Sequence, residues 1–286
     1  MNFRLLPIAL IALLILSFEI SLSQDESDES DPRNPGQKRG LILIGPCAGF
    51  NTSLHSVQLP SFDQDIYCPF FKTGSGNGFY AGLTYEYVIG KPALSVSSII
   101  VRATYNTLPY HMVAEGDNYQ TLVPVDSVTK KAISSRTQHT VDITYNLLSF
   151  DFLYKQNIDP TFPLGGVAGL TFDIPMTKNK TQKYSIIEPA NAQFDQSNDQ
   201  YLKPGEYYTA DRRTLIKQDG PIANAASLRI GIKIGIQYEI PLQVSSKMSA
   251  TLVPHIFYNY GLTKVTSTDN WNVNALQIGV DIRFGL

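Results

Sequence analysis

Four histidines are the residues of this chain best suited to acid–base catalysis or metal binding, and they lie far apart in the sequence. They are His55, His111, His139 and His255. No HExxH motif, cysteine–histidine zinc array or Ser/His/Asp spacing with a strained elbow surrounds any of them. Because a general base needs a matched neighbour within hydrogen-bond reach, the sequence predicts no catalytic residue, no metal ion and no cofactor.

The two cysteines, Cys47 and Cys68, are candidates for oxidative chemistry. The N-terminal sequence predicts an exported protein, as argued below, and oxidising surroundings then favour a Cys47–Cys68 disulfide. Such a bond closes a loop of about 20 residues and stabilises the fold by about 3 kcal/mol in the chain-entropy description. Two free, buried thiols are the alternative.

Ten charged side chains occupy the polar positions of segments in which polar and apolar residues alternate. They are Glu86, Arg102, Asp142, Asp151, Asp173, Arg229, Lys233, Glu239, Asp281 and Arg283. If these positions face a narrow interior, the charges must be paired and hydrogen-bonded, because an isolated buried charge costs several kcal/mol. The six acids and four bases of this set predict a salt-bridged polar plug, with a selective ion path as the alternative.

The segments that position these charges have the two-residue period that is typical of β-strands. In residues 228–242 every even position is apolar or aromatic, and every odd position is polar, glycine or proline. Residues 276–286 repeat the pattern. Successive side chains point to opposite faces of a strand, and strands in soluble domains usually have about five or six residues. The pattern therefore predicts long strands with one face in hydrocarbon and the other toward a polar interior.

Eight such strands are predicted, joined alternately by long loops and short turns. Their approximate bounds are 39–53, 76–89, 93–108, 137–156, 162–177, 223–242, 248–265 and 271–286, and the long loops are 54–75, 109–136 and 178–222. The predicted fold is all-β, an eight-stranded antiparallel up-and-down transmembrane β-barrel. Ten strands are the alternative, if 178–222 holds another hairpin. The fourth strand is expected to slip by one residue near Leu148, through a β-bulge.

The N-terminus has the pattern of a secretory signal. Arg4 precedes an apolar run at 5–16, and Ser21 and Ser23 supply small residues before Gln24. Residues 24–38 are acidic and contain proline, which predicts a disordered leader. After the signal no apolar run is long enough for a transmembrane helix. The predicted division is a cleaved signal peptide at 1–23, a leader at 24–38 and a barrel at 39–286, exported to a bacterial outer membrane.

The composition suits this prediction. Charged residues make up 17% of the chain and the formal net charge is −2, which excludes a basic nucleic-acid arm of the usual kind. With 16 Tyr and 14 Phe, the chain has enough aromatic residues for girdles at the two membrane interfaces. The residues predicted for these girdles are Tyr85, Tyr87, Tyr258, Tyr260 and Trp271.

Three stretches resemble the outer-membrane-protein β-barrel family, namely GLILIGPCAGFN, GNGFYAGLTYEY and QIGVDIRFGL. The resemblance covers about residues 39–286 and is to small barrels such as OmpX, the OmpA transmembrane domain and the PorT-like proteins of Bacteroidota. It implies outer-membrane lipid and the barrel assembly machinery as partners. The chain departs from the family pattern at its end, because Phe284-Gly285-Leu286 stands where such barrels commonly have a terminal aromatic residue.

The favoured functional hypothesis is a small non-enzymatic barrel whose external loops contact the cell surroundings or a partner protein. An accessory role in an envelope complex, such as a secretion apparatus, falls under this class. Tyr201, Tyr207 and Tyr208 in the third long loop are the predicted contact residues, because loops on a rigid scaffold usually carry function. The alternatives are a narrow pore or transporter, a loop-borne lipid or lipopolysaccharide hydrolase using His55 or His139, and a soluble secreted ligand-binder.

Overall fold

The computed structural model describes residues 30–31, 34–38, 42–60, 70–90, 95–124, 130–245, 248–268 and 270–285. The predicted signal peptide at 1–23 lies outside the described residues. Within the predicted leader, two short segments pair as an antiparallel ladder. No helix among the described residues is long and apolar enough to cross a membrane.

The described chain is almost entirely β-structure. Its strands are β1 (Ser30–Asp31), β2 (Asn34–Lys38), β3 (Ile42–Pro60), β4 (Phe70–Val88), β5 (Ser97–Thr107), β6 (Tyr110–Pro124), β7 (Lys130–Asn157), β8 (Leu164–Glu188), β9 (Tyr207–Tyr208), β10 (Thr214–Pro221), β11 (Arg229–Tyr238), β12 (Ile240–Ser245), β13 (Met248–Gly261) and β14 (Asn272–Gly285). A short 3-10 helix spans Gln196–Tyr201. Strands β3 to β14 form one antiparallel sheet of twelve strands among the described residues.

Eight of the described strands close this sheet on itself. The circle runs β3, β4, β5, β7, β8, β11, β13, β14 and back to β3, and every neighbouring pair is antiparallel. We call it the ring. Closure leaves these strands without a free edge, so their backbone N–H and C=O groups are paired within the sheet.

Two strands of the ring, β5 and β11, are each continued by the next strand of the chain. Strands β5 and β6 both pair with β7 and are separated only by Leu108 and Pro109. Pro109 has no N–H to donate, and the Leu108 amide donates to the Tyr145 carbonyl at 2.7 Å. Strands β11 and β12 both pair with β13 and are interrupted at Glu239, whose amide donates to the Pro163 carbonyl. Each pair therefore acts as one long strand.

The segments predicted as long loops are largely strand where they are described, so this part of the prediction is wrong. Strand β3 continues to Pro60, β6 occupies 110–124, and β8 continues to Glu188. Strand β10 pairs with β8 beyond the end of β11, and β9 pairs with β10. The additional β-structure of 178–222 thus rises above the ring without entering it. We call the upper part of the sheet, formed by β6, β9, β10 and the adjoining ends of β3, β4, β7, β8 and β14, the extension.

The predicted register slip near Leu148 is also wrong. Along β7, burial alternates without a break from Ser135 to Asn157. The irregularity lies in β8, where one extra residue sits between the partners of Asn146 and Leu147. Because β7 keeps its alternation, Leu147 and the apolar residues before it at every second position point into the interior.

Candidate functional site

The outside of the ring is covered by exposed apolar side chains, which we call the belt. Its large exposed members include Phe50, Phe79, Leu83, Tyr87, Ile99, Tyr105, Phe152, Tyr154, Leu170, Ile232, Ile234, Ile236, Tyr238, Ile256, Tyr260, Leu276, Ile278, Val280 and Ile282. From Phe79 to Ile89 a strand rises about 33 Å at ~3.3 Å per residue. A tilt of about 40° reduces this to about 25 Å, the height of the apolar band of membrane barrels.

Aromatic side chains lie toward both ends of the belt. Tyr87, Tyr154 and Tyr238 are exposed near the short turns, and Phe79 and Tyr105 are in contact toward the opposite end, with ring centroids 6.5 Å apart. This arrangement suits membrane interfaces. The prediction for Trp271 is wrong, because this side chain is buried in the interior.

The interior of the ring holds a dense network of charges. Glu86 accepts hydrogen bonds from Lys155, Arg283 and Ser98. Lys155 also donates to Glu239, so one ammonium bridges two carboxylates. All four charged side chains of this group are almost fully buried, and each charge faces at least one opposite charge. Such pairing is the condition under which buried charges are tolerated.

A second group of interior charges centres on Asp281. Its carboxylate accepts from Arg283 at 2.6 Å, from Arg102 at 3.4 Å and from Thr84 at 3.3 Å. His255 lies next to it, and Tyr80 contacts the His255 imidazole at 2.5 Å. Arg283 thus links the two groups, since it contacts both Glu86 and Asp281.

Two further ion pairs complete the interior set. Lys233 Nζ lies 2.6 Å from Asp151 Oδ2, and Arg229 Nη1 lies 3.7 Å from Asp173 Oδ2. Nine of the ten predicted interior charges are buried, and Lys155, which the prediction omitted, joins them. Lys155 lies an even number of residues from Asp151 on β7, so the alternation in the sequence could have predicted its inward position. With this change the described interior charges number five acids and five bases, and the set is electrically balanced.

Asp142 is the one predicted interior charge that lies outside. Its side chain is 43% exposed, and it accepts from His111 at 2.6 Å and from Lys183 at 3.3 Å. The prediction assigned it inward because of the assumed slip near Leu148. Unbroken alternation in β7 instead gives Asp142 the outward parity of Phe152 and Tyr154.

Glycines make room for these long side chains in a ring of only eight strands. A Cβ on Gly279 would lie 2.0 Å from the Tyr80 hydroxyl, and one on Gly49 would lie 2.6 Å from the same oxygen. Both positions share the inward parity of buried residues on their strands, Cys47 and Asn51 for Gly49, and Gln277 and Asp281 for Gly279. The absence of a side chain there lets Tyr80 reach His255.

Above the charged layer the polarity of the chain is reversed. The interior of the extension is an apolar cluster formed by Val57, Leu108, Tyr110, Met112, Val141, Ile143, Tyr145, Leu147, Ile222, Val265, Trp271, Val273 and Ala275. Most outward positions at this level are polar, as at Thr144, Asn272 and Asn274, and Leu54 and Val113 are exposed apolar exceptions. Asn51, Asn106 and Gln277 are hydrogen-bonded to one another between the two layers. The extension therefore has the inside-apolar pattern of a soluble β-structure.

His55 lies in this apolar layer, beyond the belt, opposite Val273. The Trp271 indole N–H donates to His55 Nδ1 at 3.1 Å, and the imidazole stacks on Tyr110 with centroids 4.1 Å apart. Burial, and then the charge of Arg229, lower the pKa of His55 from 6.5 to about 3. The neutral imidazole is therefore the form that accepts the indole hydrogen bond.

We expect the fluorescence of Trp271, the single tryptophan, to be constant between pH 8 and 5 and to fall with a midpoint near pH 3. Protonation of His55 Nδ1 removes the acceptor for the indole N–H. The unfolded chain takes up this proton below about pH 6.5, whereas the folded chain takes it up only near pH 3. The free energy of unfolding therefore falls as the pH is lowered from about 6.5 to about 3. A fluorescence titration of the folded protein measures the midpoint.

His55→Gln is the control, because an amide at this position does not titrate. We expect the variant to lose the transition near pH 3. A midpoint close to 6.5 in the unsubstituted protein would show that His55 is accessible to water and contradict its sealed position.

The part of the extension formed by 186–216 has its own small core. Ile186, Ala192, Phe194 and Leu215 are buried together. Arg212 stacks over the Tyr208 ring at 4.6 Å and binds Asp199 at 2.6 Å, and Arg213 donates to the carbonyls of Ile186 and Ile187. The two arginines fix the backbone of the long connection. The segment is thus an ordered surface and not a loose loop.

The predicted contact residues have different surroundings in this surface. Tyr201 is 75% exposed and Tyr207 is half exposed. Tyr208 packs against Phe194, with centroids 5.2 Å apart, and is partly buried. Tyr201 and Tyr207 are thus available for contact, whereas Tyr208 chiefly supports the segment.

The remaining sequence candidates do not form a metal or disulfide site among the described residues. His139 is buried and stacks on Tyr184, with centroids 4.4 Å apart. No group of three His, Cys, Asp or Glu side chains within the described part is placed to hold a metal ion. Cys47 is buried in the interior and forms no disulfide with any described residue, and Cys68 lies outside the described residues. The Cys47–Cys68 disulfide stays a prediction.

Taken together, the geometry defines a closed antiparallel β ring with an apolar exterior and an ion-paired interior. No protein-family model and no curated protein matches the chain. Among solved structures, it is similar to Ail, the attachment invasion locus protein of Yersinia pestis, at 12% identity over 86% of this chain and 99% of that chain, with a TM-score of 0.27. It is also similar to the outer membrane protein OprG from Pseudomonas aeruginosa, at 9% identity over 88% and 100%, with a TM-score of 0.27. TM-scores this low add no weight to the geometry.

Proposed function

We propose that this chain is a small eight-stranded transmembrane β-barrel of a bacterial outer membrane, exported with a cleaved signal peptide. Its interior is a closed, ion-paired plug, and its extension provides a contact surface outside the membrane. Outer-membrane lipid and the barrel assembly machinery are its proposed general partners. An envelope protein complex is the proposed specific partner.

The observation that carries this proposal is the reversal of polarity along the strands. In the ring, apolar residues such as Ile234 and Phe152 face outward, and charges such as Lys233 and Asp151 face inward. In the extension the apolar side chains turn inward, as at Val141. If water surrounded the ring, the apolar side chains of the belt would all be exposed to it, which is unfavourable for so large an apolar surface. A hydrocarbon layer of the height of the belt accounts for both patterns.

The balanced interior supports a plug in preference to a pore. Each acid of the network contacts a base, and the largest buried side chains include Arg102, Arg283, Lys155 and Lys233. An eight-stranded barrel is only wide enough for such side chains to fill it. His255 is buried in this network and His55 in the apolar layer above it, so we propose no catalytic role for either.

The extension supports a role in surface contacts because its long connection is ordered by its own core. Tyr201 and Tyr207 are exposed on this segment, close in sequence to Asp199 and to Tyr208, over which Arg212 stacks. Aromatic side chains on a rigid support are favourable contact residues. A partner in the cell envelope, including a secretion apparatus, fits this placement.

Membrane extraction and conductance test the proposal together. We expect the expressed protein to stay in the membrane pellet at carbonate pH, to dissolve only in detergent and to begin at Gln24 after processing. In planar lipid bilayers we expect no steady single-channel steps. Release by carbonate would overturn the membrane assignment in favour of a soluble binder. Regular conductance steps would overturn the plug in favour of a narrow pore.

A further inference from the structure

Three polar residues lie side by side on the outer surface of the extension, one on each of three neighbouring strands. Ser75 of β4 is the register partner of His111 of β6. His111 is in turn the register partner of Asp142 of β7. Directly opposed residues of antiparallel strands have Cβ atoms about 5 Å apart and project to the same side. All three side chains are at least partly exposed. Gly74, the residue before Ser75, is on the opposite face, where a Cβ would meet the ring of Tyr110.

We propose that Ser75, His111 and Asp142 form a serine esterase site on the outside of the protein. The sequence predicted no enzyme, because these residues lie more than thirty positions apart and follow no known spacing. Their juxtaposition arises only from the pairing of three strands. The site is separate from the sealed histidines of the interior, and its chemistry does not depend on the proposed membrane placement.

The strand register of Ser75 and the His111–Asp142 contact match the roles that a serine nucleophile requires. The imidazole Nδ1 of His111 lies 2.6 Å from Asp142 Oδ1, so the carboxylate fixes the ring and its tautomer. In that tautomer Nε2 is the acceptor, and 57% of the His111 side chain is open to solvent. Ser75 is the register partner of His111 on the neighbouring strand. We assign its hydroxyl as the group that Nε2 deprotonates when an ester is bound.

Two neighbours support the same arrangement. Partial burial opposes ionisation of Asp142, but hydrogen bonds from His111 and Lys183 outweigh it and lower the pKa of that carboxyl. Asp142 therefore stays ionised beside the imidazole near neutral pH.

Asn77 lies two residues from Ser75 on the same face, and its Oδ1 accepts a hydrogen bond from the Thr52 hydroxyl at 3.2 Å. That contact occupies Oδ1, and we assign the amide NH₂ of Asn77 as the donor to a developing oxyanion.

The reaction follows from these positions. Ser75 Oγ attacks the ester carbonyl carbon while its proton passes to His111 Nε2. The bond to the alcohol oxygen then breaks, and this oxygen takes the proton from Nε2. A water molecule, deprotonated by the same nitrogen, releases the acyl group as a carboxylic acid and restores Ser75. One ester and one water give one acid and one alcohol.

The position of the site indicates a lipid substrate. Ser75 lies four residues beyond Phe79, the last large belt residue of β4, which is about 13 Å along the strand. With the strand tilt this is about 10 Å above the end of the belt, near the height of lipid head groups. We assign the substrate class as acyl esters of membrane lipids. This assignment of substrate rests on the proposed function.

Labelling with a fluorophosphonate probe in detergent micelles tests the site without requiring a membrane. We expect a covalent adduct on the peptide that contains Ser75. Labelling and hydrolysis of p-nitrophenyl butyrate should fall at least about 100-fold in Ser75→Ala and in His111→Gln. The matched control is Ser56→Ala, another exposed serine of the extension, which should leave both readouts unchanged.

The outcomes are distinct. No adduct on Ser75 in the unsubstituted protein, or full hydrolysis by Ser75→Ala, overturns the site and leaves His111–Asp142 as a surface ion pair. Release of fatty acid from phospholipid vesicles supports the lipid substrate, and turnover of the soluble ester alone overturns it. A failed carbonate extraction contradicts the proposed function and leaves the labelling result standing.

Discussion

Replacement of Arg283 by Met will lower the free energy of unfolding by about 3 to 5 kcal/mol, the range for removing one partner from a buried ion pair. Arg283 contacts Glu86, Asp281 and Gln237, and it is almost fully buried. A methionine keeps most of the volume but removes the charge that both carboxylates share. The change leaves the interior with one negative charge in excess. Urea unfolding in detergent micelles, followed by Trp271 fluorescence, measures the effect.

Two variants show whether this loss comes from charge. Arg136→Met removes an exposed arginine whose partner Glu188 lies 3.9 Å away, and it should change the free energy of unfolding by less than about 1 kcal/mol. Adding Glu86→Gln to Arg283→Met restores the balance, because Lys155 keeps Glu239 and Asp281 keeps Arg102. The double variant should recover part of the stability. Equal unfolding free energies for Arg283→Met and Arg136→Met would contradict the ion-paired plug.

The ring was predictable from sequence because the alternation of apolar and polar side chains is a property of each strand by itself. Alternation at 228–242 or at 276–286 is visible without knowing which strand lies beside it. The inward placement of Lys233, Asp281 and Arg283 follows from parity alone. Among the ten predicted interior charges only Asp142 was placed on the wrong side, because an extra residue of β8 was assigned to β7.

The extension was not predictable in the same way. Its apolar residues, such as Val141 and Ile143, fit a strand with either face outward, and only the surroundings of that part of the strand decide between the two orientations. A prediction that places every apolar face on the outside must introduce a register slip near Leu148. In the structure the register is kept, and the apolar side chains instead face inward in the extension. The pairing of β10 with β8 likewise depends on partners about 35 residues apart in sequence.

The residues of the outer site show the same limit. Ser75, His111 and Asp142 meet only because β6 lies between β4 and β7 beyond the end of β5. No local motif marks this, since each residue sits at an ordinary outward position of its own strand. A constellation built across strands is specified by register, and register is a property of the whole sheet.

Replacement of Ile234 by Arg will destabilise the protein in a lipid bilayer by about 2 to 4 kcal/mol, the range for a basic residue at the midplane of a membrane barrel. Ile234 is 51% exposed and lies at the centre of the apolar run of β11. Thr144→Arg places the same charge on an outward position of the extension and should be nearly neutral. Reversible unfolding from liposomes compares the two. In water, an arginine on an exposed face costs little, so equal stability of the two variants in liposomes would mean that no hydrocarbon surrounds the ring.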